Sequence, residues 1–185
     1  TRARLAGNVQ GTRAGTAARP SLLAGKVVDD RGQPLVAAHA CKGDKRYRYY
    51  VGRDAHHGTG TSPPLRVPAR EIEGLVRAQV AALFDDPVAL LASAGLDATP
   101  ALMATLHEKC RALAATIRGK TNIELIALLA QVRVGKNGIE VDVACKEIAR
   151  LLGAEGDGEQ QVITLGSNAR LTRTGMVVRL VQQDG

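Results

Sequence analysis

From Pro68 to Arg118 the apolar positions recur every three or four residues, the spacing of helices that each bury one stripe. Ile72, Leu75, Val76, Val80 and Leu83 make the first stripe, behind Pro68 at a first-turn position. Asp86-Pro87 opens a short second helix that Gly95 closes, and Thr99-Pro100 caps a third. Leu102, Leu106, Cys110, Leu113 and Ile117 share a face of that third helix, and Gly119 ends it. Three-four spacing also suits a coiled-coil seam, but caps interrupt this one too often.

On either side the pattern shortens to an alternation. Val27-Val28 leads into the dense turn signal Asp29-Asp30-Arg31-Gly32-Gln33-Pro34, and Leu35-Val36 resumes. A second turn at Gly43-Asp44 precedes Lys45 to Val51. As a strand, this run sets Tyr47, Tyr49 and Val51 on one side and Arg46, Arg48 and Tyr50 on the other. Residues 21–52 therefore read as a small antiparallel β unit, with 53–67 a loop. Toward the C-terminus, Asn137-Gly138 is the preferred pair for a two-residue hairpin turn. It would set Val134 opposite Val141, Val132 opposite Val143 and Arg133 opposite Asp142, with apolar pairs on one face and a charge pair on the other. Glu147 to Leu152 reads as a short helix ended by Gly153. A polar loop to Gln160 follows, then strands at Val162–Leu165, Ala169–Arg173 and Met176–Val181.

The fold class expected is α+β, in four segments: a tail or linker over 1–20, a basic β-ribbon-like unit over 21–67, a helical middle over 68–120 and a C-terminal β-hairpin, helix and strand unit over 121–185. The whole chain, 185 residues, suits one large domain or two small ones. With one Phe, three Tyr and no Trp, its core must be built from Leu, Val, Ile and Ala. The longest uninterrupted apolar run, Leu125 to Ala130, is far short of the ~20 residues of a membrane span. No N-terminal apolar segment resembles a signal peptide, and the abrupt start at Thr1-Arg2-Ala3-Arg4 leads us to expect a fragment of a longer protein. Cys41, Cys110 and Cys145 are odd in number and widely spaced, which argues for a reducing compartment and a cytoplasmic location.

Charge changes the picture further. Residues 1–66 carry twelve Lys and Arg against four Asp and Glu, whereas 67–120 balance and 121–185 sum to −1, within a net charge of +7. A basic end on a neutral body suits a polyanion binder, and equally a solubilising tail.

Candidate chemistry narrows to one place. Gly119-Lys120-Thr121 imitates the end of a phosphate-binding loop, but the first glycine would fall at Ala114 and a helix precedes it instead of a strand. His39, Cys41, His56 and His57 match no zinc-site spacing, and His107 with Cys110 has no second ligand pair, so no metal or other cofactor is expected. Asp29-Asp30 and Asp85-Asp86 occupy turn and helix-start positions where acids serve structure. Ser21, Ser62, Ser93 and Ser167 have no base partner nearby, so no catalytic set converges.

What stands out is Lys42 to Arg53. Here Lys42, Lys45, Arg46, Arg48 and Arg53 interleave with Tyr47, Tyr49 and Tyr50. Such a segment can neutralise phosphates while a tyrosine such as Tyr50 packs on sugars or donates to phosphate oxygens. A plainer account makes Tyr47 and Tyr49 core residues and the arginines a solvated face, and alternation lets both hold.

Leu22-Leu23-Ala24-Gly25, the Asp29–Pro34 turn and Arg46-Tyr47-Arg48-Tyr49-Tyr50-Val51 together resemble the β-ribbon region of large serine site-specific recombinases, of the resolvase/invertase superfamily. Arg66-Val67-Pro68-Ala69-Arg70-Glu71-Ile72-Glu73 resembles that family's ribbon-to-helix joint. Val132 to Leu152 is similar to its C-terminal hairpin and helix, and Ala169-Arg170-Leu171 with Val178-Arg179-Leu180-Val181 to its final strands. The likeness spans most of residues 20–183 and rests on the order of these motifs. It implies a DNA-binding C-terminal portion of a recombinase from a mobile element, gripping recombination-site duplex DNA through Lys42, Lys45, Arg46, Arg48, Tyr50 and Arg53. The family's ribbon commonly binds zinc through two cysteine pairs. This chain has Asp29 to Gly32 and Gly52 to His57 in those places, which implies a zinc-free variant. The catalytic domain with its nucleophilic serine has no counterpart here. Two other readings stay open: a protein–protein module that self-associates through the helical segment, as in synapsis, and a decayed remnant of a recombinase gene.

Overall fold

The computed structural model describes residues 21–52, 65–119, 122–135, 138–156, 160–174 and 177–181. The strands are β1 (Val27–Asp29), β2 (Leu35–Lys42), β3 (Lys45–Gly52), β4 (Arg66–Pro68), β5 (Leu129–Val134), β6 (Ile139–Ala144), β7 (Val162–Ser167), β8 (Arg170–Thr174) and β9 (Val177–Val181). The helices are α1 (Ala69–Ala82), α2 (Pro87–Ala94), α3 (Pro100–Arg118), α4 (Ile123–Leu128) and α5 (Cys145–Leu152). The class is α+β, as expected. The tail over 1–20, the 53–64 stretch and the Lys136-Asn137 pair lie outside the described residues.

The helical middle follows its stripes. α1 buries Ala69, Ile72, Val76, Val80 and Ala81, while Leu75 and Leu83 pack half-buried against the same core. Asp86 caps α2 by accepting from the Ala89 amide at 3.0 Å, and Gly95 leaves that helix at φ 62°, where a β-carbon would be strained. Thr99 caps α3 the same way, accepting from Leu102 at 3.3 Å. α1 and α3 pack on one another, and Arg118 at the end of α3 bridges to Asp85 at 2.6 Å.

β1 departs from the expected pairing. The Asp29 turn forms as read: the Asp29 carboxylate accepts from the Arg31 and Gln33 amides at 2.9 and 2.7 Å, with Gly32 at φ 76°. Among the described residues no ladder joins β1 to β2, and an isolated bridge, Val28–Pro34, lies just before β2. Pro34 has no N–H with which to carry an antiparallel ladder forward. β1 instead pairs in parallel with β5, Val27 against Val132, and buries Val27 and Val28 there. The resulting sheet runs β1-β5-β6-β7, with antiparallel pairing from β5 onward.

The β5–β6 hairpin keeps its expected faces and shifts its register. Val134 lies opposite Ile139, Val132 opposite Val141 and Arg133 opposite Glu140, in place of Val141, Val143 and Asp142. A shift of two residues leaves every side chain on its own face. It also draws Ile139 into the core beneath Val134, which the sequence register would have left unpaired with any apolar partner. Charge does not distinguish the two registers, since both put an acid across from Arg133. The observed one joins it to Glu140 at 2.6 Å, and Asp142 accepts from Thr164 instead.

Two elements escape the sequence pattern. Arg66–Pro68, expected as the end of a loop and the start of a helix, is the strand β4, paired with Tyr49–Val51 of β3. α4 is a short helix that starts two residues before the apolar run and takes up its first four residues, burying Leu125 and Leu128 and leaving Ile123 and Ile126 exposed. α3, α4 and α5 then cover the buried face of the four-stranded sheet, where Val132, Val141, Val143, Ile148 and Leu106 join one core. That core extends through α1 to Leu35, Tyr50 and Val67 at the base of the β2-β3-β4 sheet. No described helix is long and apolar enough to cross a membrane.

Candidate nucleic-acid interface

The β2–β3 hairpin is anchored at its base and bare beyond it. Leu35, Tyr50 and Val67 are buried, whereas every residue from Cys41 to Arg48 is exposed. Gly43-Asp44 makes the two-residue turn, with Gly43 at φ 56°. β2 meets the tyrosines of β3 with small residues, Ala40 opposite Tyr47 and Ala38 opposite Tyr49. From the β2 side neither ring is covered by a large side chain, and Tyr47 stays 43% exposed.

Residues paired across an antiparallel ladder share a face. One face of the hairpin carries Lys42, Lys45, Tyr47, Tyr49 and, from β4, Arg66. The Arg66 guanidinium lies 3.8 Å from the centre of the Tyr49 ring, a cation–π stack that holds both groups in place. The other face carries Arg46 and Arg48, beside Cys41 and His39. At the tip Lys42 and Lys45 stand directly opposite one another, a like-charge pair that costs stability unless an anion lies between them.

The tyrosines are arranged the opposite way from the plainer sequence account. Tyr50, not Tyr47 or Tyr49, is the core residue, because the Arg46–Arg48–Tyr50 side of β3 turns onto α1 once the strand reaches the body. The Tyr50 hydroxyl accepts from the Leu23 amide at 2.9 Å and donates to Glu73 at 2.8 Å. Burial above all, then the bond to the Glu73 carboxylate, raises its pKa far above the ordinary tyrosine value. Tyr50 therefore leaves the set expected to touch DNA: it is fully buried and its hydroxyl is committed. Arg48 donates to Glu73 at 2.9 Å and is 44% exposed, so it faces solvent with part of its charge compensated. Lys42, Lys45 and Arg46 are exposed as expected, and Arg53 lies outside the described residues, as do His56 and His57.

Arg66 was missed as a member of the surface. It sits seventeen residues from Tyr49 in the chain, and only the β3–β4 pairing brings the two together. Cys110 and Cys145 are buried, and burial pushes both thiols up. His107 is exposed on α3. No family model, curated protein or solved structure matches this chain.

Proposed function

We propose that this chain is a duplex-DNA-binding module, the C-terminal portion of a serine site-specific recombinase that works in the cytoplasm and grips its recombination site while a separate domain cuts and rejoins strands. The observation that carries the binding reading is the projecting hairpin, whose exposed tip gathers Lys42, Lys45 and Arg46 and whose flank presents Tyr47 and the Arg66–Tyr49 stack. A two-stranded ribbon is narrow enough to enter a major groove, and cations on both of its faces can reach the phosphates on either side. The recombinase assignment rests on the sequence resemblance.

The test is fluorescence anisotropy with a labelled duplex over a salt series, using the whole chain and the K45A/R46A variant. Wild type should bind with log affinity falling linearly against log salt, and the variant should lose about 0.9 of slope for each phosphate contact removed. No binding at low salt overturns the reading. Unchanged slope in the variant removes the hairpin from it.

The helical segment favours a second reading, self-association, because Val88 on α2 and Met103 on α3 stay 58% and 43% exposed. Sedimentation that shifts with concentration and is abolished by Val88→Asp would support it.

A further inference from the structure

Behind the hairpin, between β3 and α1, lies an open cleft of about 450 Å³, lined by Leu22 as well as by Arg48, Arg70, Glu73, Gly74, Arg77 and Asn122. Arg70, Glu73, Gly74 and Arg77 recur at three- and four-residue spacing, so α1 turns one face to the cavity and its apolar stripe to the core. Three guanidinium groups meet one carboxylate there, and Glu73 is already engaged by Arg48 and Tyr50. Arg77 is braced by the Ile117 carbonyl, the Gly119 carbonyl at 2.9 Å and Asn122. These contacts fix its guanidinium beside the end of α3. Arg70 is exposed and makes no hydrogen bond or ion pair among the described residues.

Gly74 points the same way. Glycine in the middle of a helix is destabilising relative to alanine. Here a β-carbon would meet nothing within 4 Å, so packing does not require the glycine. What it provides is a bare stretch of helix backbone as one wall of a cationic cavity, where a ligand can approach closely.

We propose that this cavity is a binding site for a phosphate group, with Arg70 as its main donor and Arg48 and Arg77 completing the positive field. Arg46 lies two residues before Arg48 on the same strand face, so a row of cations leads from the hairpin into the cavity. Resting on the DNA reading, the group bound is a backbone phosphate of the strand that follows this row. A free phosphate-bearing small anion would meet the same chemistry.

Two measurements on the full-length chain separate these sources. In the first, R70Q and R70K are compared with wild type for duplex binding. R70Q should bind roughly eightfold more weakly at 0.1 M salt with a slope smaller by about 0.9, and R70K should recover most of both. In the second, the Gly74 amide is followed by NMR as inorganic phosphate is added to millimolar levels. Loss of DNA affinity in R70Q assigns the site to a duplex phosphate. A saturable Gly74 shift, absent in R70Q, with DNA binding unaffected assigns it to a free anion. If R70Q matches wild type toward DNA and the Gly74 amide does not move, the site is overturned while the hairpin reading stands. If wild type binds no DNA, the hairpin reading falls and the phosphate titration alone decides the cavity.

Discussion

The Tyr50 hydroxyl donates to Glu73 at 2.8 Å while accepting from the Leu23 amide at 2.9 Å, so one phenol joins β3, α1 and the segment before β1. Arg48, two residues earlier on the same face, reaches the other oxygen of the Glu73 carboxylate. The direction in which the hairpin leaves the body is set at this joint, because β3 passes there from buried to exposed.

Tyr50→Phe keeps the ring and removes the joint. The Leu23 amide would lose its acceptor and Glu73 a donor, at a cost of about 1–3 kcal/mol. Urea unfolding of the two proteins should show this as a lower midpoint at unchanged slope. An identical midpoint would mean that water replaces the hydroxyl at no cost.

Alkaline pH should unfold the protein early. Tyr50 in the folded state titrates above its ordinary value of 10.0, and Cys110 and Cys145 above theirs of 9.0. Each group holds its proton longer folded than unfolded, so its contribution is complete below the unfolded value and declines as pH rises past it. Stability should thus be flat near neutrality and fall from about pH 9 upward, by up to ~1.4 kcal/mol per pH unit for each group. In Tyr50→Phe the part of the decline that begins near pH 10 should vanish, which denaturation midpoints at pH 8, 10 and 11 would show.

Two glycines of the C-terminal sheet should answer differently to alanine. A β-carbon on Gly138 would lie 2.3 Å from the Ser167 carbonyl oxygen, whereas one on Gly166 meets nothing within 4 Å. Gly138→Ala should cost about 1–3 kcal/mol as β6 and β7 are forced apart, and Gly166→Ala should be close to neutral. Thermal melts of both variants suffice, and equal melting temperatures would contradict the register of these strands.

Glu73→Gln should separate stability from binding. The Arg48 pair is partly exposed, and its loss should cost no more than about 1 kcal/mol. On the DNA reading, removing a carboxylate beside the Arg46–Arg48 row should tighten duplex binding a few-fold. Weaker binding measured by anisotropy would show that Arg48 must be held by Glu73 to act.

Most elements were legible in the chain because their causes are local. The stripes of α1 and α3, the caps at Asp86 and Thr99, the turns at Asp29 and Gly43 and the glycines that end α2 and α5 each depend on residues within a few positions of one another. The hairpin cations were legible too, because exposed charges next to a turn need no distant partner to stay exposed. α4 was not, since an unbroken apolar run reads alike as strand and helix.

Local sequence accounts for most of the helices and strands, for where the basic charge lies and for which stripes are apolar, but not for β4 or α4. Outside the β2–β3 and β5–β6 hairpins, which strand adjoins which, and which face of β3 is inside, follow from tertiary packing. β1 left its neighbour β2 for β5, a hundred residues away, because Pro34 ends one ladder and buried valines favour the other. Alternation along β3 separates Tyr50 from Tyr47 and Tyr49 without saying which side meets the body. The packing of α1, with Glu73 in reach of the Tyr50 hydroxyl, makes that choice. The same packing turned Arg70 and Arg77 toward Arg48, an arrangement of residues far apart in the chain that no local pattern encodes.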